Sequence, residues 1–142
     1  MNAPANTLYS RDILRLATAL PHDDRLASPD GAASCRAPIC GSEVTADVAL
    51  TNGRIAAVAF RAHACALGQA SAALLREHAV GLDSNALLTA RAALMAYLGG
   101  DDAAALPWDA LRHFAPAQNH TARHGAILLP YDALLGAIAA VG

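Results

Sequence analysis

The chain has 142 residues, a formal net charge of −2 and a pI near 6.3; that length suits one domain, 1–142, with a real hydrophobic core, and that balance leaves no basic footprint for nucleic acid. Two Phe, three Tyr and one Trp are too few for a base-stacking platform, and no run reaches the ~20 apolar residues of a membrane span. Three cysteines, an odd number, behind an opening Met1–Asn6 without the marks of a secretory leader point to free thiols in a reducing cytoplasm.

Along the chain, Ser10 suits the N-cap of a helix over Arg11–Leu20, with Ile13, Leu14, Leu16 and Ala17 at helical spacing on its buried side. Pro21 ends it, and His22 to Gly31 is polar and turn-rich. Ala32 to Ala37 suits a short strand. Two apolar runs, Val44 to Leu50 and Ile55 to Phe60, flank Asn52-Gly53, the preferred central pair of a two-residue type I′ hairpin turn. Val44, Ala46, Val48 and Leu50 fall on one face, and Glu43, Thr45 and Asp47 on the other. The second strand alternates less cleanly, as a bulge or burial on both faces would make it.

After Cys65 the period becomes helical. Leu67, Ala70, Leu74 and Leu75 predict a helix to about Ala79, stopped by Gly81. A second helix runs from Ser84 as N-cap to Leu98, closed by Gly99-Gly100. A short third covers Trp108 to Phe114, with Pro116 to Thr121 as loop and Trp108 packed in the helical layer. The last runs from Arg123 or Gly125 to Ala140, with Pro130 kinking or splitting it. Helix, strands, then helices predict an α+β fold, a small antiparallel sheet of about three strands packed against several helices.

The hairpin carries the chemistry. A regular two-residue turn sets Leu50 opposite Ile55, Val44 opposite Arg61 and, by extension, Cys40 opposite Cys65; such pairs lie roughly 4.5–5.5 Å apart. Even with splayed strands both thiols reach the same end of the hairpin, which makes them a candidate metal or sulfur site. Cys65 stands where a strand meets a helix N-terminus, whose free amides and dipole favour a thiolate. Cys40, between Pro38 and Gly41, belongs to a tight exposed turn. Either thiol alone reads more simply as a small buried hydrophobe.

Two further residues stand near them in sequence. Cys35 falls on the preceding strand, as a spare ligand or as core packing. His63, two residues before Cys65, is a hydrogen-bond donor to a ligating group, a weaker ligand or a solvated histidine. Other chemistries find little support. Gly99-Gly100 followed by Asp101-Asp102 lacks the lysine of a phosphate loop, and nothing supplies an oxyanion hole or third member for a cysteine hydrolase built on Cys65 and His124.

Ala37-Pro38-Ile39-Cys40-Gly41 and Phe60-Arg61-Ala62-His63-Ala64-Cys65-Ala66-Leu67-Gly68-Gln69-Ala70-Ser71 resemble the first two cysteine motifs of the IscU/SufU/NifU N-terminal family of iron–sulfur cluster assembly scaffolds. Arg123-His124-Gly125-Ala126-Ile127-Leu128 resembles the third motif, and the spacing before it is closer to the SufU branch. The resemblance spans about Leu8 to Ala140 and implies a SufE/NifU-like fold. It also implies a cysteine desulfurase as sulfur donor, acceptor apo-proteins as clients, and transient binding of iron or a [2Fe–2S] cluster, or of zinc. Cys40 and Cys65 would accept persulfide sulfur and, with His124, hold the metal. The chain departs from the family twice: Ser42 stands where the family has aspartate, a better metal ligand than a hydroxyl, and Gly125 stands where it has the third cysteine. The expected role is a scaffold or sulfur carrier rather than a turnover catalyst. The alternative is a divergent zinc-binding or metal-free sulfur carrier or regulatory module.

Overall fold

A computed structural model describes residues 8–142; the opening stretch read above for a leader lies outside them. Helix α1 (Arg11–Ala19) starts where predicted, with Ser10 Oγ accepting from the Ile13 amide at 3.2 Å. Its buried stripe is narrower than its spacing suggests. Ile13 and Ala17 are buried, while Leu14 is 48% exposed. A loop then leads to strands β1 (Gly31–Arg36), β2 (Glu43–Thr51) and β3 (Arg54–His63), which form an antiparallel sheet in that order.

The β2–β3 turn has φ of 54° at Asn52 and 78° at Gly53, the left-handed pair that a type I′ turn requires. Leu50 faces Ile55, but the next pair inward is Ala49 with Ala57, leaving Ala56 as an extra residue. That bulge overturns the regular register: Val44 faces Ala62 rather than Arg61, and the ladder ends at Glu43 with His63. Cys40 is therefore not opposite Cys65.

The bulge also explains the mixed pattern of β3, because the extra residue puts Ile55 on the same face as Val58 and Phe60; both sheet faces are covered as well. Val44, Ala46, Val48, Val58 and Phe60 are buried on one side, under helix α4 (His124–Ala139), which packs along β1 and β2. On the other side Asp47, expected among polar outward residues, is fully buried. Arg25 from the loop grips it through Nε at 2.6 Å and Nη2 at 3.0 Å, and the Leu26 amide donates to it at 3.0 Å.

Helix α2 (Ala66–His78) packs against α1, α4 and β3, and α3 (Ser84–Leu98) against α4. The cap of α3 is Asp83, accepting from the Ala86 amide at 2.8 Å, one residue before the expected Ser84. The expected short helix and loop are instead one 3-10 segment, Asp109–Asn119, with Pro116 inside it. Trp108, just before it, stacks on His78 with centroids 4.6 Å apart. Pro130 does not split α4; lacking an amide hydrogen, it leaves the Ala126 carbonyl without a helical donor. No helix among the described residues is long and apolar enough to cross a membrane.

Burial pushes the Asp47 carboxyl up, but the Arg25 fork, the Leu26 amide and the charges of Arg25 and Arg61 more than reverse this and hold it below the usual carboxylate value. A lowered native value stabilises the fold above the unfolded carboxyl's range, about pH 4, and that contribution is lost as pH falls through the native value. Asp47→Asn should lower unfolding free energy by about 1–3 kcal/mol at neutral pH and flatten the acid limb of the stability curve, as read by urea titrations at several pH values.

Candidate functional site

Three chain segments meet at the end of the hairpin where the ladder stops. The first is the turn after β1. The Ala37 amide donates to the Ser42 carbonyl at 2.8 Å and the Gly41 amide to the Ala37 carbonyl at 2.9 Å, which closes a tight loop. Gly41 takes φ of 73°, a value that favours glycine. The turn leaves Ile39 78% exposed and Cys40 exposed beside it, while Ser42 is buried.

The Cys40 thiol lies 3.2 Å from Ser42 Oγ. Partial burial pushes its pKa up; the Ser42 hydroxyl, the backbone amides of Ser42 and Cys40, and the positive charge of Arg123 more than offset that, so the thiol titrates below its ordinary value. Hydrogen bonds and cations that favour the charged form have this effect. Ser42, read from sequence only as a poor metal ligand, is thus the hydrogen-bond partner of the Cys40 sulfur. Arg123 received no role from sequence. It opens the matched third motif, which was a signal, but its charge acts on Cys40 only in the folded chain.

The second segment is the start of α2. Cys65 is its N-cap residue, half-buried, with extended backbone and no side-chain capping bond. The Gln69 amide donates to the Cys65 carbonyl, and Gln69 Nε2 donates to the Ala64 carbonyl, both at 3.0 Å. These bonds fix the backbone on either side of the sulfur without engaging it.

The third segment is the start of α4. A Cβ built on exposed Gly125 would meet Ala37 Cβ at 3.7 Å and nothing closer, whereas one on Gly68 would lie 2.8 Å from Ala64 Cβ and 3.3 Å from the Ala126 carbonyl oxygen. The α4 start therefore rests against both the Cys40 turn and the first turns of α2. Ser71 Oγ donates to the Ile127 carbonyl and ties the two helices together.

The other candidates stand apart from this arrangement or are engaged in it. His124 Nε2 hydrogen-bonds the Ala117 carbonyl at 2.8 Å, leaving Nδ1 as its free nitrogen. Cys35 sits on β1 opposite Val44, packed against the core; burial and then the Asp132 charge push its thiol up. His63 is exposed at the last ladder pair. Among the described residues, no three or more His, Cys, Asp or Glu side chains gather closely enough to hold a metal ion. Cys40, Cys65 and His124 do not form a ready ligand trio, and Gly125 offers no donor.

The family of NifU-like N-terminal domains matches residues 8–120. Among solved structures, a nitrogen-fixing NifU-like protein (N-terminal) from Brucella abortus is similar, with a TM-score of 0.82, 30% identity and coverage of 93% of this chain and 92% of that one. A proposed iron–sulfur cluster assembly scaffold for the SUF system from Fervidobacterium islandicum AW-1 has a TM-score of 0.81, 22% identity and coverage of 94% and 98%. No curated protein sequence matches the chain.

Peptide-resolved alkylation with iodoacetamide across a pH series should label Cys40 with a midpoint below that of an ordinary thiol. Ser42→Ala should move that midpoint upward. A midpoint unchanged by the substitution would show that the hydroxyl does not stabilise the thiolate.

Proposed function

The chain belongs to the family of NifU-like N-terminal domains, and from that membership we propose that it serves iron–sulfur cluster assembly as a scaffold-type protein that accepts sulfur. A cysteine desulfurase is the donor and apo-proteins are the recipients, in the cytoplasm. The observation that carries this reading is the Cys40 thiol, exposed at the tip of a turn with Ser42 and Arg123 favouring its thiolate.

The transfer balances simply. The Cys40 thiolate attacks the outer sulfur of the donor's persulfide, a new S–S bond forms as the donor's S–S bond breaks, and the donor leaves as a thiolate. Thiolate attack on a divalent sulfur needs an accessible, deprotonated nucleophile. Cys40 is exposed and its thiol titrates below the ordinary value; Cys65 is half-buried and suited to receive sulfur afterwards or to share the cargo.

Iron or a [2Fe–2S] unit is cargo here, and the donor set does not fit its full retention by this chain. Two thiols stand at one end of the sheet, His124 has one nitrogen engaged, and Gly125 is bare. That specific observation favours the second reading, a sulfur carrier or regulatory module that binds one zinc ion or no metal.

Incubation with a cysteine desulfurase and free cysteine should add one sulfur to Cys40, read by mass spectrometry of the intact chain and its peptides. Cys40→Ser should abolish the addition, whereas Cys65→Ser should leave the first addition in place. Equal loading of the Cys40→Ser protein would exclude Cys40 as the entry point. Anaerobic iron and sulfide reconstitution should give little stable thiolate-to-iron absorption in the native chain. Gly125→Cys, whose added Cβ meets only an ordinary contact, should raise occupancy about tenfold or more, since even outer-sphere changes at metal sites shift affinity 10–100-fold. Full occupancy in the native chain would instead favour complete scaffolding without position 125.

A further inference from the structure

The two edges of the sheet differ. On the outer side of β3 the Ile55 amide donates to the Leu82 carbonyl at 2.9 Å and the Gly81 amide to the Ile55 carbonyl at 2.8 Å. Arg54 Nη1 also reaches the Gly81 carbonyl, at 3.0 Å. The chain after α2 thus covers the start of that edge. For β1 the one paired neighbour among the described residues is β2. Natural edge strands are ordinarily blunted by lysine, proline, a bulge or a covering segment. Pro29 and Pro38 flank β1 without entering it, and its register with β2 has no shift.

Alternation fixes which groups that edge offers. The Ala37 amide donates to the Ser42 carbonyl in line with the β1–β2 register, and successive residues of an antiparallel strand turn their backbone groups to opposite sides. The amides and carbonyls of Ala33 and Cys35 therefore face β2, and those of Ala32, Ser34 and Arg36 point away from it. The side chains of these three are exposed, on the face that α4 does not cover. Opposite charges stand at the two ends. Asp30, exposed just before the strand, accepts from the Leu50 amide through Oδ2 alone. Arg36, at the far end, makes no ion pair among the described residues.

We propose that the β1 edge is an interface on which a second copy of this chain pairs antiparallel, about a two-fold axis at Ser34. Ser34 then faces Ser34 of the second copy, and Ala32 faces Arg36. In this register every outward amide and carbonyl of both strands gains a partner. Charge selects the direction. Antiparallel pairing brings Arg36 beside small Ala32 and diagonal to Asp30 of the other copy, roughly 7–8 Å away and within reach of a long side chain. Parallel pairing in register would set Arg36 against Arg36. A net charge of −2 puts little general repulsion between copies. A single six-residue strand pair buries less than a standard interface, so the dimer is weak, with a dissociation constant on the order of 100 µM. The contact uses neither Cys40 nor Cys65 and is independent of sulfur transfer.

The test is sedimentation of the whole chain from about 10 µM to about 1 mM, under reductant so that Cys40 cannot cross-link copies. The native chain should pass from monomer to dimer across that range. Ser34→Glu and Ser34→Arg should each weaken association about tenfold or more, because the two-fold axis sets like charges directly opposite. An equimolar mixture of the two variants should associate at least as tightly as the native chain. Far-UV circular dichroism checks that each variant folds. Should one fail, Ser34→Pro removes the outward amide while keeping the ladder to β2, and should leave a monomer. A native chain that stays monomeric throughout, which would leave the edge to an extended segment of another protein, overturns the proposal. So does a dimer indifferent to both charges.

Discussion

The architecture of this chain depends on how closely α4 lies on β1. A Cβ placed on Gly31 would fall 2.1 Å from the Ala137 carbonyl oxygen, and one on Gly136 would fall 3.0 Å from Ala33 Cβ. The backbones approach so tightly that side chains have no room between them, as close-packed interiors demand. The helix then runs along the strand until its first turn, at Gly125, meets Ala37. A seam of small residues thus carries the start of α4, with Arg123 and His124, to the turn that bears Cys40. The geometry at that end of the molecule is downstream of packing at the other.

The bulge at Ala56 does similar work within the sheet. One extra residue in β3 changes every later pairing, because side chains alternate with a strict period of two. The two thiols end up at one end of the hairpin in different settings rather than as a symmetric pair. Cys40 is on an exposed turn with a hydroxyl and a cation favouring its anion; Cys65 is half-buried at a helix cap. The proposed entry of sulfur at Cys40 rests on this asymmetry, since nucleophilic entry and sheltered holding ask for opposite degrees of exposure.

A polar layer on the second face of the sheet joins these parts. Asp47 is buried where alternation along β2 expects a solvated side chain, and it draws the loop after α1 over the sheet through Arg25 and the Leu26 amide. Buried carboxylates are tolerated when fully hydrogen-bonded. Arg25 holds that carboxylate directly, while Arg61 acts on it through its charge.

Much was legible from local chemistry. Ser10 before an apolar period, Asn52-Gly53 between two β-rich runs, Gly81 and Gly99-Gly100 after helical stretches, and Cys65 at the change of period each state their structure within a few residues, because caps, turns and periodicity are short-range effects. The residue motifs around Cys40 and Cys65 likewise carried the family. Tertiary structure alone decided the rest: the bulge that displaced Cys40 from opposite Cys65, the burial of Asp47, the hydrogen bond that engages His124, and the action of the Arg123 charge on Cys40. Each of these joins residues distant in sequence, and its free energy is set by packing and desolvation that no local pattern encodes.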